Sequence, residues 1–204
     1  AGTGKSYVLG HVQKIATSLG VNVIGLAPTH KARGELAKVG YEQNDTIKGM
    51  LFKLNNGKFD LSKGSLLVVD EAGMVGNDDY KELLRVAASR KCNVILAGDE
   101  RQLASVQRGG MYEVFSDRYG SSTILNIQRQ KNAWGRGVAM AFSNGEVKSG
   151  IAILQANNKI IESSTKDASM QNLLSYWSKS NESLSDRLII AVTNRDVNAL
   201  NHGA

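Results

Sequence analysis

The sequence predicts an α/β fold built on a mostly parallel, doubly wound sheet, and three observations carry that expectation. Short apolar, β-branched runs alternate with segments of helical period. Polar clusters follow the carboxyl ends of those runs, where the functional loops of such sheets lie. The chain also opens on Ala1-Gly2-Thr3-Gly4-Lys5-Ser6, the second half of a G-x-x-x-x-G-K-[ST] phosphate-binding loop, which joins a strand to a helix.

In such a loop the backbone N–H groups around Gly2, Thr3 and Gly4 cradle phosphates. Lys5 reaches the β- and γ-phosphates and the Ser6 hydroxyl holds Mg²⁺. The alternative for these residues alone is a glycine-rich turn before a helix. The loop's first glycine and its feeding strand would precede Ala1, so the chain reads as a piece truncated at both ends. Tyr7 to Leu19 has helical period and Gly20 can end it. Val21 to Ala27 reads as a buried parallel strand, followed by Pro28-Thr29-His30-Lys31 and a helix to about Val39. Residues 40–64 read as irregular, with a short helix around Thr46 to Leu54 and a turn at Asn55-Asn56-Gly57 that is also a hairpin signal. Leu66 to Val69 is the sharpest strand and ends in Asp70-Glu71. A helix over Asp78 to Ser89 and a strand over Asn93 to Ala97 follow, then Gly98-Asp99-Glu100-Arg101-Gln102-Leu103. A helix near Met111 to Ser116, a strand over Ser122 to Ile127, a helix from Trp134 to Phe142, a strand at Ile160-Ile161, a helix over Ala168 to Ser178 and a strand over Leu188 to Val192 complete the pattern.

Composition narrows the function classes. Twenty-five Lys and Arg against 19 Asp and Glu give a formal charge of +6, which suits a polyanion, although the basic residues are spread along the chain. The single cysteine, Cys92, excludes an internal disulfide framework, reads as a buried strand residue and makes the reducing cytoplasm the expected compartment. No apolar run approaches the ~18 residues that a membrane span requires. His11, His30 and His202 are scattered, which argues against a metal site of His and Cys.

Phosphoryl transfer needs positioned charge, a metal and an oriented water. Asp70-Glu71 at a strand end suits this: Asp70 for Mg²⁺, Glu71 to orient or deprotonate the attacking water. Alone, such a pair is as readily a helix N-terminal feature or a turn. Its place in the same α/β pattern as Gly4-Lys5-Ser6 favours the chemical reading.

Five segments in order, Gly2 to Ser6, Ala27-Pro28-Thr29-His30-Lys31-Ala32, Asp70-Glu71-Ala72-Gly73-Met74-Val75, Gly98 to Leu103 and Gln128-Arg129-Gln130, resemble the motif series of superfamily 1 DNA helicases. The likeness is to the RecD-like branch, and within it to the helicase part of TraA-type conjugative relaxases. The resemblance implies a RecA-like P-loop NTPase that uses ATP and Mg²⁺, acts on single-stranded DNA in conjugative plasmid transfer and has other conjugation machinery as further partners. It implies a γ-phosphate sensor at Gln102 and a γ-phosphate-reaching arginine at Arg129, for which a planar, permanently charged fork is suited. It places single-strand contacts at Pro28, Thr29, His30, Lys31 and Thr46; Lys48 departs from the histidine common in RecD relatives. Thr193 and Asn194 resemble a strand-track segment of the second motor domain, with a plain strand-end turn as the alternative. The stretch Phe52 to Phe59 falls where the family carries a strand-separating pin, and packing of the two aromatics on the domain is the favoured reading.

The expected organisation is a first motor domain over residues 1–122 and the start of a second over 123–204. Two other functions stay open: a P-loop ATPase that moves no nucleic acid, and a catalytically inert piece that only binds DNA or nucleotide. For the 204 residues on their own, little or no unwinding is expected.

Overall fold

The structure, a computed structural model, describes residues 4–99, 110–124, 130 and 132–203. Its contacts divide the chain into two units, Ala1–Arg136 and Gly137–Ala204.

The first unit is the α/β layer structure that the alternation predicts. Helix α1 (Lys5–Ser18) leads to strand β1 (Val23–Ala27), helix α2 (His30–Lys38), strand β2 (Asn44–Thr46) and helix α3 (Ile47–Asn55). Strand β3 (Leu66–Val69), a one-turn 3₁₀ segment (Ala72–Met74), helix α4 (Asn77–Ser89), strand β4 (Asn93–Leu96) and helix α5 (Met111–Tyr119) follow. The four strands form one parallel sheet in the order β2-β1-β3-β4.

Period-2 alternation sends successive strand side chains to opposite faces, and the two cores divide accordingly. Ile24, Leu26, Leu67 and Val69 pack with Ile47, Met50 and Leu51 of α3 and with Tyr80, Leu83 and Val86 of α4. Val23, Ala27 and Val68 pack on the other face with Leu9 of α1, Leu36 of α2 and Tyr41. Both faces are covered, so the sheet is doubly wound, and its central strands read as continuous apolar runs for that reason. Gly25 is fixed by close approach: a Cβ there would lie 2.8 Å from Tyr41 Cδ1. The Tyr41 hydroxyl, on the far side of that contact, donates to the Leu9 carbonyl at 2.9 Å and ties α1 to the sheet.

Several expectations change. Asn44 and Asp45 disfavour a strand, yet Asn44-Asp45-Thr46 is β2 because its backbone pairs with Gly25, Leu26 and Ala27; pairing more than side-chain preference makes this strand. Asn56-Gly57 is no hairpin. It closes α3, with Gly57 at φ 65° and the Gly57 and Lys58 amides bonded back to Leu54 and Lys53, a Schellman ending for which glycine is equally suited. Phe59 packs against the core while Phe52 is exposed. Cys92 precedes β4 and is only partly buried. Residues 122–124 form no strand, and the rest of that expected strand lies outside the described residues.

The second unit is helical among its described residues. Helix α6 (Ala133–Ser143) enters it, followed by α7 (Val147–Ala156), α8 (Lys166–Ser178), a 3₁₀ turn (Leu184–Asp186) and α9 (Asn194–Gly203). The strands expected at Ile160-Ile161 and Leu188–Val192 are absent: both stretches lack ladder partners. A strand is completed by a neighbour that takes up its N–H and C=O groups, and no described strand of this unit offers one. Helix α7 escaped the sequence reading because Gly150 interrupts it; the structure explains that glycine, since a Cβ would come 2.5 Å from Phe142 Cε1. No helix among the described residues is long and apolar enough to cross a membrane.

Candidate nucleotide and DNA site

The carboxyl edge of the sheet gathers the polar residues in one row. Ala27 of β1 is level with Thr46 of β2, and Leu26 with Val69, so Asp70 continues the row beside Ala27. The Asp70 amide donates to the Leu26 carbonyl at 2.8 Å, which fixes its backbone to the central strand.

Gly4 precedes α1 at φ 89°, a left-handed conformation that glycine adopts without steric cost, and no side chain caps the helix. The first-turn N–H groups of α1 therefore have no intrahelical acceptor and face outward as an anion-binding end. Lys5 and Ser6 are the first two residues of that turn. Lys5 Nζ lies 2.7 Å from Asp70 Oδ1 and 3.1 Å from Glu71 Oε1, with the Asp70 side chain 5% exposed. Burial lowers the Lys5 pKa, but the Asp70 hydrogen bond and the charges of both acids outweigh it and hold the ammonium above its ordinary value. The field of Asp70 extends to the far face: Tyr41, pushed up to about 12, is raised first by burial and then by this carboxylate.

Glu71 is held at φ 52°, ψ 41°, a conformation a non-glycine residue rarely takes. This left-handed turn directly follows Asp70, and the Glu71 amide donates to Asp70 Oδ1 at 2.8 Å. Three contacts hold the turn. The Ala72 amide donates to the Ala97 carbonyl at 2.9 Å, the Tyr80 hydroxyl donates to the Ala72 carbonyl at 2.7 Å, and Gly98 sits so close that a Cβ would lie 2.9 Å from the Gly73 nitrogen. Sequence reasoning missed Tyr80 and Gly98 as positioning residues. Gly98, two residues beyond the end of β4, was the available signal.

Among the described residues no group of three or more His, Cys, Asp or Glu could hold a metal ion. The donor set of Ser6 hydroxyl and Asp70 carboxylate nevertheless fits Mg²⁺, a hard cation that binds through one or two protein oxygens, waters and substrate phosphates. The Lys5 ammonium against both acids marks the place as one that takes a positive charge.

Of the expected strand contacts, Pro28 follows β1 and is partly buried, and Thr29, His30 and Lys31 are exposed. Thr29 Oγ1 caps α2 by accepting from the Ala32 amide at 3.2 Å. Thr46 Oγ1 caps α3 from the Gly49 amide at 3.0 Å. Beside it, buried Asp45 bonds Lys53 Nζ at 2.7 Å, a pair that the sequence did not single out. Lys48 Nζ is 3.8 Å from Asp79. The structure thus brings Lys5, Ser6, Asp70, Glu71, Pro28, Thr29 and Thr46 to one unit. Thr193 and Asn194 belong to the second, where Thr193 Oγ1 accepts from the Asp196 amide at 3.2 Å and Asn194 opens α9. Gly2, Thr3, Gln102 and Arg129 lie outside the described residues.

Residues 1–165 match the family described as an AAA domain. A probable conjugal transfer protein TraA of Sinorhizobium fredii is 28% identical over 204 residues, covering all of this chain and 18% of that protein. The ATP-dependent DNA helicase dda of Enterobacteria phage T4 is 25% identical over 98% of this chain and 49% of its own length. The crystal structure of Bacteroides Pif1 bound to ssDNA superposes with a TM-score of 0.57 at 19% identity, covering 98% of this chain and 50% of that one. The chain thus spans about a fifth of its TraA relative and about half of the helicase dda. It belongs to the AAA domain family, and the TraA and dda matches support its resemblance to the RecD-like superfamily 1 helicases and the TraA-type conjugative relaxases.

Proposed function

We propose that this chain is the ATP-binding and ATP-hydrolysing part of a DNA motor that moves on single-stranded DNA in the cytoplasm during conjugative plasmid transfer. The observation that carries the reading is the meeting of Lys5 with Asp70 and Glu71, at 2.7 and 3.1 Å, where the sheet's carboxyl edge faces the start of α1. Gly2, Thr3 and Gly4 with the first turn of α1 receive the phosphates, and Lys5 binds the β- and γ-phosphates. Ser6 and Asp70 would hold Mg²⁺, which would supply positive charge to the phosphates. Glu71, held on a left-handed backbone beside Asp70, orients the attacking water and takes its proton. In this reading Gln102 senses the γ-phosphate and Arg129 reaches it.

The capped starts of α2 and α3, with Thr29 and Thr46 at the same sheet edge, are the proposed phosphate contacts of a single strand. Pro28, His30 and Lys31 line that track, and Thr193 and Asn194 are the proposed strand contacts of the second motor domain. Residues 1–122 and 123–204 are the proposed parts of the first and second motor domains; other conjugation proteins are further partners. The test is ATP hydrolysis by the protein that carries this chain, with and without single-stranded DNA. DNA-stimulated hydrolysis abolished by Lys5→Ala supports the reading. Hydrolysis indifferent to DNA favours an ATPase that moves no nucleic acid, and activity that survives Lys5→Ala overturns the site.

A further inference from the structure

The start of α3, a proposed phosphate contact, already has an anion beside it, and that anion belongs to the chain. Buried Asp45 accepts from the Thr46 amide through Oδ1 at 2.8 Å and from Lys53 Nζ through Oδ2 at 2.7 Å. Its carboxylate lies against the first turn of the helix. A Cβ on Gly49 would come 2.5 Å from Asp45 Oδ1 and 2.8 Å from Thr46 Oγ1, which itself accepts from the Gly49 amide at 3.0 Å. A helix N-terminus favours negative charge, so Asp45 takes up part of the field that would otherwise draw a phosphate.

The cations are committed as well. Helix α3 carries two, Lys48 and Lys53. Lys48 Nζ is 3.8 Å from Asp79 Oδ2, and Lys53, whose side chain is 51% exposed, is bonded to Asp45. The charge of Arg33 on α2 also acts on Asp45, and Arg33 Nε is buried with no hydrogen-bond partner of its own. An ion pair with one partner taken out of water adds little net stability. Its consequence here is local: the exposed cation that shares a carboxylate with the Thr46 amide is tied to an acid and withheld from a phosphate.

We propose that Asp45 is a positioning residue that limits the grip on single-stranded DNA: by holding Lys53 and setting its own negative charge at the start of α3, it keeps the phosphate beside Thr46 loosely bound and quick to exchange. The inference rests on the proposed strand track. Thr46 and the first turn of α3 then contact that phosphate through hydrogen bonds, with no uncommitted cation on the same helix. A motor must release each phosphate that it binds, and an internal acid lowers the affinity at one contact without removing the contact.

The test is equilibrium binding of fluorescein-labelled oligothymidylate to the protein that carries this chain, without nucleotide, over a range of salt. Asp45→Asn, which keeps the size and the acceptor for the Thr46 amide, should bind about threefold to tenfold tighter than the unaltered protein. It releases one cation to the strand, so its slope of log K against log salt should steepen by about 0.7. Lys53→Met, which leaves the carboxylate without its partner, should bind about threefold or more weaker, and Lys53→Arg should bind as the unaltered protein does. The opposite signs separate a field from a loss of structure, since a loosened α3 would weaken binding in both variants. Asp45→Asn binding no more tightly than the unaltered protein overturns the proposal, and so does weaker binding in both variants. A second measurement locates the effect: the strand should protect Lys53 from acylation, followed by mass spectrometry, more in Asp45→Asn than in the unaltered protein. Equal protection overturns the proposal as well. Failure of the functional reading would show separately, as no single-strand binding by either protein at low salt, and would remove the proposal with it.

Discussion

The two units treat similar apolar segments in opposite ways. Leu66–Val69 and Leu188–Val192 are both short, β-branched runs of aliphatic residues. In the first unit Leu67, Val68 and Val69 are fully buried, paired to β1 on one side and β4 on the other. In the second, Leu188, Ile190 and Val192 are 82%, 83% and 100% exposed and pair with nothing in a ladder. Of the 22 buried hydrophobic residues among those described, all but Ala141 and Leu200 belong to the first unit. Local preference is the same in both places; the difference is the presence of neighbours that accept the backbone and cover both faces.

Hydrogen exchange tests the contrast most directly. Amides of β1 and β3 should be the slowest to exchange, and those of 188–192 among the fastest, because only the former require opening of a packed core. Slow exchange at 188–192 would break the comparison. Among substitutions, the largest effect is expected at Leu26, which is fully buried in the central strand. Leu26→Ala should cost about 2–5 kcal/mol in urea denaturation of the first unit. Next is Gly98→Ala, whose methyl would be forced against the Gly73 and Ala72 nitrogens and Tyr112. A loss of about 1–3 kcal/mol is expected there, together with a displaced Glu71 turn and reduced ATP hydrolysis.

Smaller effects come from charge. Lys5 has its pKa raised in the folded state, so the stability it contributes is complete below its ordinary value of 10.5 and is lost as pH rises through the higher folded value. Unfolding midpoints followed into the alkaline range should show that limb, and Lys5→Met should remove it. Asp45 runs the other way. Burial raises its pKa, but the Lys53 hydrogen bond, the Thr46 amide and the charges of Lys53 and Arg33 outweigh it and hold it down. Its contribution is present above 3.8 and lost as pH falls through the lower folded value, and Asp45→Asn should flatten that acid limb. The smallest effect is expected at Leu188: replacing a side chain that is already in water with serine should move stability by less than about 0.5 kcal/mol. A loss of core size there would mean that this run is buried in solution.

Much of the first unit was legible in the sequence because its signals are local. Apolar runs of strand length, helical period from Tyr7 onward and Gly20 at the end of α1 all stand in the residues themselves, and so does the pairing of Gly4-Lys5-Ser6 with Asp70-Glu71 as a candidate nucleotide site. That Lys5 meets both acids was not legible. It depends on β3 lying beside β1 at a register that sets Asp70 level with Ala27. The left-handed turn at Glu71 was hidden for the same reason, since Ala97, Tyr80 and Gly98 hold it from elements distant in sequence.

The sequence by itself determined the α/β class, the order of elements in the first unit and the residue types of the site, because propensity, period and motif spacing act over a few residues. Only the tertiary structure decided that Asn44-Asp45-Thr46 is a strand, that Leu188–Val192 is not, and that Lys5 pairs with both acids. Each of those outcomes depends on which backbone or charge is placed alongside, and that placement is made by contacts between segments far apart in the chain.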